Sequence, residues 1–128
     1  MKLLLDTHGF LWLRSEPHRL PSRVLNAYQD TSNRIYLSII SVWEMQIKHQ
    51  IGKLRLDMSL KDIIEGQCDT NMLEIMPLKL NHIFELQNLP LYHNDPFDRL
   101  LIVQSRAEHI SLVSSDRMFC HYDTTLYW

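Results

Sequence analysis

The chain has 128 residues, of which 45% are hydrophobic and 22% are charged, and its formal net charge is −2 at pH 7. This length suits one domain and is too short for two ordinary ones, so we expect residues 1–128 to form a single domain. No apolar run approaches the roughly 20 residues of a membrane-spanning helix, and the weak negative charge counts against a protein that coats nucleic acid through a general basic surface.

The first elements alternate between a strand and helices. Lys2 to Leu5 is a short apolar run typical of a buried strand, and a helix is predicted over Thr7 to Arg14. Pro17 and Pro21 end this helix, because proline cannot continue it. Pro21 is suited to the first turn of a second helix, which we expect to end near Asp30.

The same alternation continues through the middle of the chain. Ile35 to Ser38 predicts a second strand, and a helix is predicted from Ser41 to about Ile51, before a natural stop at Gly52. A further helix is predicted over Met58 to Gln67. Leu73 to Met76 predicts a third strand.

The last part of the chain repeats the pattern. A helix is predicted over Leu80 to Leu89, and another from Pro96 to about Glu108, with Asp95 as its N-cap. Ser111 to Val113 predicts a fourth strand, and Thr124 to Tyr127 a fifth. Strands that alternate with helices predict parallel βαβ units and an open α/β sheet covered on both faces.

Acidic residues lie where these strands end. Asp6 directly follows the first strand, and Asp116 follows the fourth. Glu44 lies about one turn into the helix after the second strand, and Asp98 lies in the first turn of the helix before the fourth. Ligands of such sheets bind beyond the carboxyl ends of the strands, so we expect these acids to meet at one edge.

Each acid also has a purely structural interpretation. Asp6 and Asp116 are suited to capping helices. Ser41 and Glu44 match the spacing of a capping box, and Glu44 is also one helical turn from Lys48, with which it can form an ion pair. The joint occurrence at matching positions of the sheet favours a shared site.

Four carboxylates in one pocket repel one another unless a cation lies among them. Mg²⁺ and similar hard cations prefer oxygen ligands. Two such ions about 3.5–4 Å apart stabilise the attacking and leaving oxygens of an in-line displacement. The cluster therefore indicates phosphodiester hydrolysis.

Four segments, in chain order, have the residue pattern of one known family: Leu4-Leu5-Asp6-Thr7-His8 with Leu11-Trp12, Ser41-Val42-Trp43-Glu44-Met45 with Lys48, His93 to Ile102, and Leu112-Val113-Ser114-Ser115-Asp116. They resemble the motifs of PIN-domain ribonucleases, in the branch that includes VapC-type toxins. The third segment is the most specific, and together they span nearly the whole chain.

The resemblance implies a three-layer α/β/α fold with a mainly parallel sheet of four to five strands, and a site for Mg²⁺ or Mn²⁺. By motif position it implies a catalytic quartet of Asp6, Glu44, Asp98 and Asp116. Asp6, Asp98 and Asp116 are the expected direct metal ligands, whereas Glu44 would act through water. The resemblance also implies an RNA substrate, a cognate antitoxin protein and a homodimer.

Other side chains near the motifs have less specific interpretations. For His93 a role in stabilising its loop is favoured over contact with substrate, and Trp12 and Trp43 are expected in the core or at a subunit interface. Several basic residues are candidates for phosphate contacts, although a solvated surface is the simpler interpretation of most: Arg14, Lys48, Lys53, Arg55 and Arg99.

The leading hypothesis is a metal-dependent endoribonuclease that acts as the toxin of a toxin–antitoxin pair. The alternatives are a housekeeping PIN nuclease in RNA maturation, a small metal phosphoesterase and a non-catalytic binding module. The expected location is the cytoplasm, because Leu3 to Leu5 is too short for a signal peptide and Cys68 and Cys120 form no CxxC pair.

Overall fold

The computed structural model describes residues 1–128 and contains five strands and six α-helices. The strands are β1 Lys2–Leu5, β2 Arg34–Ser38, β3 Glu74–Met76, β4 Ser111–Val113 and β5 Leu126–Tyr127. The helices are α1 Thr7–Ser15, α2 Ser22–Gln29, α3 Ile39–Gln50, α4 Leu60–Asn71, α5 Leu80–Glu85 and α6 Pro96–Glu108. Three short 3₁₀ helices cover Pro17–Arg19, Leu86–Asn88 and Arg117–His121.

All five strands form one parallel sheet in the order β3-β2-β1-β4-β5. The strand β1 is central, with Leu4 paired to Tyr36 of β2 on one side and to Leu112 of β4 on the other. The carboxyl ends of β1, β2 and β4 therefore lie side by side. No helix has both the length and the apolar composition needed to cross a bilayer.

Hydrophobic cores on the two faces of the sheet make the fold three-layered. In β1 successive side chains point to opposite faces, and Leu3 and Leu5 belong to one buried cluster while Leu4 belongs to the other. The first cluster includes Phe10 of α1, and the second includes Leu101 of α6. The predicted α/β/α architecture with a parallel sheet is confirmed.

The predicted start of α3 is wrong by two residues. Helix α3 begins at Ile39, because the hydroxyl of Ser38 accepts a hydrogen bond from the Ile40 N–H at 3.1 Å and serves as the N-cap. The same hydroxyl donates to Oε1 of the buried Gln104 at 2.6 Å, which ties the start of α3 to α6. The start of α3 is thus joined to the third turn of α6, and each of these two helices carries a predicted site residue.

The helices on either side of β3 also differ from the prediction. Helix α4 begins after the N-cap Ser59 and continues to Asn71, four residues beyond its expected end at Gln67. Helix α5 ends at Glu85, because the chain tightens there into the 3₁₀ turn Leu86–Asn88.

Candidate active site

The four acids that the sequence predicted together line one pocket of about 230 Å³ at the carboxyl edge of the sheet. Asp6 follows β1, Glu44 lies on α3, Asp98 lies on α6 and Asp116 follows β4. The expected convergence of residues that are far apart in sequence is therefore present in the fold.

Asp6 is held in place as the N-cap of α1. Its Oδ1 accepts a hydrogen bond from the Gly9 N–H at 2.6 Å, and its own N–H donates to the Val113 carbonyl of β4 at 3.1 Å. A Cβ on Gly9 would lie 2.7 Å from Asp6 Oδ1, so glycine permits this close approach. Burial raises the pKa of Asp6, and hydrogen bonding with Ser114 and Gly9 offsets only part of that rise.

Glu44 is buried, with only 4% of its surface exposed, and both of its carboxylate oxygens have partners. Thr7 Oγ1 donates to Oε1 at 2.6 Å, and Lys48 Nζ donates to Oε2 at 2.7 Å. The alternative of a capping box with Ser41 is wrong, because Ser41 lies inside α3 and its buried hydroxyl has no hydrogen-bond partner. The expected ion pair with Lys48 is present.

Asp98 lies in the first turn of α6, beside the cap of that helix. As predicted, Asp95 is the N-cap, and its Oδ1 accepts hydrogen bonds from the N–H groups of Phe97 at 2.9 Å and Asp98 at 3.1 Å. The Asp98 carboxylate is left free to face the pocket. Burial first, and then the negative charges of Asp95, Glu44 and Asp6, raise the pKa of Asp98 to about 7, against the opposing effect of His93.

Asp116 begins the 3₁₀ helix Arg117–His121 that follows β4. Its Oδ1 accepts from the Met118 N–H at 2.9 Å, and its own N–H donates to the Ser114 hydroxyl at 3.0 Å. Asp116 therefore caps a helix and lines the pocket at once, as Asp6 does. The structural and functional interpretations of these two acids are compatible.

His93 also faces the acids, which the sequence did not reveal. Its Nε2 lies 2.9 Å from Asp98 Oδ2 and 3.3 Å from Asp116 Oδ2. Its Nδ1 accepts a hydrogen bond from the Asp95 N–H at 3.2 Å. No spacing rule links a loop histidine to a strand end twenty residues later, so only its position in the third motif marked it for attention.

The donor set fits a hard divalent cation. Ligand atoms of His93, Asp98 and Asp116 all lie within 4.8 Å of one another, and carboxylate oxygens are the ligands that Mg²⁺ prefers. Burial raises the pKa of Asp98 most, and the nearby acids raise it further in the absence of a counterion. Asp6 and Glu44 line the same pocket but are not part of this close group.

A larger groove of about 870 Å³ adjoins the acidic pocket and shares Thr7, His8, Trp12 and Lys48 with it. Arg14, Lys53 and Arg55 line it as well. Arg14 is paired with Asp57, whereas Lys53 and Arg55 form no ion pair. The groove therefore offers cationic side chains next to the carboxylates.

The two tryptophans near the site have different surroundings. Trp12 is partly buried against the first core cluster and lies edge-on to Trp128, with ring centroids 6.0 Å apart. Trp43 is 57% exposed and lies edge-on to Phe97 at 5.3 Å. Trp43 and Phe97, each one residue before a pocket acid, form an aromatic pair in which Trp43 is exposed and Phe97 is half-buried.

Comparison with solved structures identifies similar folds. A chain of the crystal structure of VapBC2 from Rickettsia felis bound to a DNA fragment from their promoter has a TM-score of 0.71 and 18% identity, over 98% of this chain and 96% of that one. DNA-bound VapBC from Salmonella typhimurium gives a TM-score of 0.69 and 15% identity, over 98% and 96%. VapBC-1 from nontypeable Haemophilus influenzae gives 0.68 and 14%, over 99% and 97%.

These identities are low, so the likeness to solved structures establishes the fold alone. No curated protein matches the sequence. The family model of the PIN domain, however, matches residues 3–124, which contain all four acidic motifs. The family inferred from those motifs is therefore confirmed, and the chain belongs to the PIN domain family.

Proposed function

We propose that this protein is a metal-dependent endoribonuclease and the VapC-type toxin of a toxin–antitoxin pair. The observation that carries the proposal is the meeting of Asp6, Glu44, Asp98 and Asp116 in one small pocket of a PIN domain. In this proposal residues 1–128 form one nuclease domain that acts in the cytoplasm.

Asp6, Asp98 and Asp116 are the proposed ligands of Mg²⁺ or Mn²⁺. The only protein donor near Oδ2 of Asp98 and Oδ2 of Asp116 is His93 Nε2, at 2.9 and 3.3 Å, so both carboxylates keep lone pairs for an ion. When bound, the metal would polarise the scissile phosphate and lower the pKa of a water molecule that attacks it. Carboxylates of the pocket would orient that water.

Glu44 has a different proposed role from the one that the sequence suggested. Because Thr7 and Lys48 use both of its oxygens, it is better placed to position Lys48 than to bind an ion through water. Hydrogen bonding to Glu44 raises the pKa of Lys48, so the ammonium remains charged at the rim of the pocket. A charged donor there is suited to a phosphate oxygen of the substrate.

The groove beside the pocket supports a nucleic-acid substrate. It carries Lys48 between the acids and the exposed cations Lys53 and Arg55. Such a local basic path attracts a phosphate backbone even though the whole chain is weakly acidic. The choice of RNA rests on the resemblance of the motifs to VapC-type ribonucleases.

The proposed partners are a cognate antitoxin and a second copy of the chain. The antitoxin follows from the similar structures, which are VapBC complexes. The homodimer is supported by the exposed side chains of Trp43 and Ile39, which lie one turn apart on α3 and are 57% and 46% exposed. Large apolar side chains that face solvent together are typical of protein interfaces.

The proposal is tested by purifying the protein and incubating it with labelled RNA and with a small phosphomonoester. We expect RNA cleavage that requires Mg²⁺ or Mn²⁺ and stops with EDTA. Turnover of the phosphomonoester alone would indicate a phosphoesterase instead, and metal binding without cleavage of either substrate would contradict the proposed activity.

The toxin role is tested in cells by brief induction followed by sequencing of RNA ends. We expect growth arrest and new RNA ends with the native chain, and neither with Asp98→Asn. RNA cleavage without growth arrest would instead favour a housekeeping nuclease.

A further inference from the structure

His93 has one orientation fixed by its hydrogen bonds. Its Nδ1 accepts a hydrogen bond from the Asp95 N–H at 3.2 Å, so this nitrogen uses its lone pair. A neutral imidazole carries its single hydrogen on the other nitrogen. The ring therefore presents an Nε2–H group to the acidic pocket.

The loop that carries His93 is held by a side chain of α6. The Arg99 guanidinium donates to the carbonyl groups of four residues in the connection between α5 and α6, at distances from 2.9 to 3.4 Å: Leu86, Leu89, Pro90 and His93. The suggested phosphate contact by Arg99 has no support here, because its donors are used within the protein. Arg99 instead fastens the loop to the helix that contains Asp98.

Tyr122 holds the same loop from the other side. Its hydroxyl accepts a hydrogen bond from the His93 N–H at 2.7 Å and donates to the Pro90 carbonyl at 2.9 Å. The ring of His93 also packs near Phe119, with centroids 5.8 Å apart. The imidazole is thus a built part of the site and not a mobile loop side chain.

The Nε2–H group lies between two acids from different elements. Nε2 is buried and lies 2.9 Å from Asp98 Oδ2 and 3.3 Å from Asp116 Oδ2, yet neither oxygen is aligned with the N–H bond well enough for a simple hydrogen bond. The imidazole therefore contacts both carboxylates without forming a regular hydrogen bond, and the positive end of its N–H dipole lies near both Oδ2 atoms.

We propose that His93 is a positioning residue whose Nε2–H holds the carboxylates of Asp98 and Asp116 together for the divalent cation. The inference rests on the proposed function, because it assumes that these acids bind the ion. Asp98 belongs to α6 and Asp116 follows β4, and without a cation their charges drive them apart. A fixed N–H group between them opposes that repulsion.

The distances alone would also allow His93 to bind the ion directly. A metal ligand must offer a lone pair, however, and the hydrogen bond from Asp95 leaves the lone pair on Nδ1, away from the pocket. His93 therefore acts on the carboxylates and not on the ion. Residues that orient metal ligands typically change metal affinity by roughly 10–100-fold when they are removed.

The test measures Mn²⁺ binding by calorimetry for the native chain, His93→Ala and His93→Gln. We expect His93→Ala to weaken binding by roughly 10–100-fold. His93→Gln should recover most of the loss, because the glutamine side chain can place an N–H group near the position of Nε2. His18→Ala is the control, since His18 is an exposed histidine outside the pocket.

A second measurement follows the His93 tautomer by ¹⁵N NMR of the imidazole, without metal and with Mg²⁺. We expect hydrogen on Nε2 in both states. Loss of that hydrogen when Mg²⁺ binds would make His93 a ligand and overturn the inference, as would native affinity in a folded His93→Ala.

Both measurements are independent of RNA, so they separate the inference from the proposed function. A native chain that binds Mn²⁺ in a His93-dependent way but leaves RNA intact would contradict the function alone. RNA cleavage together with unchanged Mn²⁺ binding in both His93 variants would contradict the inference alone.

Discussion

Two clusters of ionisable side chains lie at opposite ends of α6, and they are balanced in different ways. At the carboxyl end, Glu108 Oε1 accepts from Lys79 Nζ at 3.1 Å and lies 2.9 Å from Nε2 of the fully buried His82. His82 Nδ1 in turn accepts from the Lys79 N–H at 3.0 Å. Hydrogen bonds from His82 and Lys79 lower the pKa of Glu108.

At the amino end of the same helix, burial first and the charges of several neighbouring carboxylates second raise the pKa of Asp98 to about 7. The first cluster satisfies its charges within the protein, whereas the second gathers more negative charge than its neighbours neutralise. The comparison shows that the charges at the carboxyl end of α6 are paired within the protein. The carboxylates at its amino end lack a cation. The following predictions test that contrast, beginning with the largest effect.

Removal of one pocket carboxylate should abolish RNA cleavage. We expect Asp6→Asn and Asp98→Asn each to lower the rate by at least about a hundredfold, since a direct ligand should matter more than a residue that only orients one. The fold should survive, because asparagine can replace aspartate as a helix cap at position 6. Cleavage rates and circular dichroism check both statements.

Asp62→Asn is the matched control for Asp98→Asn. Asp62 is also the third residue of a helix, after the N-cap Ser59, but it is exposed and lies outside the pocket. We expect its cleavage rate to be native. Equal losses in both variants would mean that the effect comes from the helix and not from the pocket.

Addition of metal should stabilise the end of α6 that lacks a cation. An ion that binds only the folded chain adds about 2.7 kcal/mol to the free energy of unfolding at a concentration 100 times its dissociation constant. Thermal unfolding with increasing Mn²⁺ should therefore show a rising Tm. The Tm of Asp98→Asn should rise far less with Mn²⁺. An equal rise in both proteins would mean that the metal binds outside this pocket.

Disruption of the balanced cluster should affect stability and leave metal binding unchanged. We expect Glu108→Ala to lower the free energy of unfolding by about 1–3 kcal/mol, because buried His82 loses its hydrogen-bond partner. Glu108→Gln, which keeps an acceptor oxygen, should cost less. Urea unfolding measures both variants, and a change in Mn²⁺ affinity would contradict the separation of the two clusters.

The two clusters should respond to pH with opposite signs in the metal-free protein. The folded-state pKa of Asp98, about 7, lies above its ordinary value of 3.8, so the folded chain binds more protons between these values and stability falls as pH rises through that range. Glu108 has a lowered pKa, so its contribution is present above its ordinary pKa of 4.5 and is lost as pH falls through the folded value.

Thermal unfolding in EDTA measures this dependence. We expect Asp98→Asn to raise the Tm at pH 8 by a few degrees and to leave it nearly unchanged at pH 4, where Asp98 is already protonated in the folded chain. If the Tm of Asp98→Asn changed between pH 4 and pH 8 as steeply as that of the native chain, another group would be responsible for the pH dependence.

Much of the architecture could be predicted because its signals are local. The pair Asp95 and Pro96 marks the start of α6 through a cap and a fixed φ angle, and the structure begins the helix at Pro96. The start of α3 could not be predicted in this way, because Ser41 and Glu44 have the spacing of a capping box and indicated the wrong serine. The structure uses Ser38, whose hydroxyl also reaches Gln104 across the fold.

The four acids of the candidate site could be predicted because two of them follow strands of a parallel sheet and the other two lie in the first half of helices that adjoin strands. The supporting groups could not. His93 reaches the acids only through a loop shaped by Arg99 and Tyr122, and such contacts have no fixed spacing in sequence. A glycine inside a helix is unfavourable, so Gly9 weakly indicated a special position. Its close approach to Asp6 could not be predicted, because that contact exists only once Asp6 caps the folded helix.

The order of strands in the sheet has a consequence for protein synthesis. The central strand β1 is made first, but its partner β4 and the adjoining Asp116 lie near the other end of the sequence. A nascent chain on the ribosome therefore holds Asp6 long before Asp116 is made, and any fragment that ends before Asp116 lacks one of the four carboxylates. The cluster assembles only after synthesis has passed Asp116 and β4 has paired with β1.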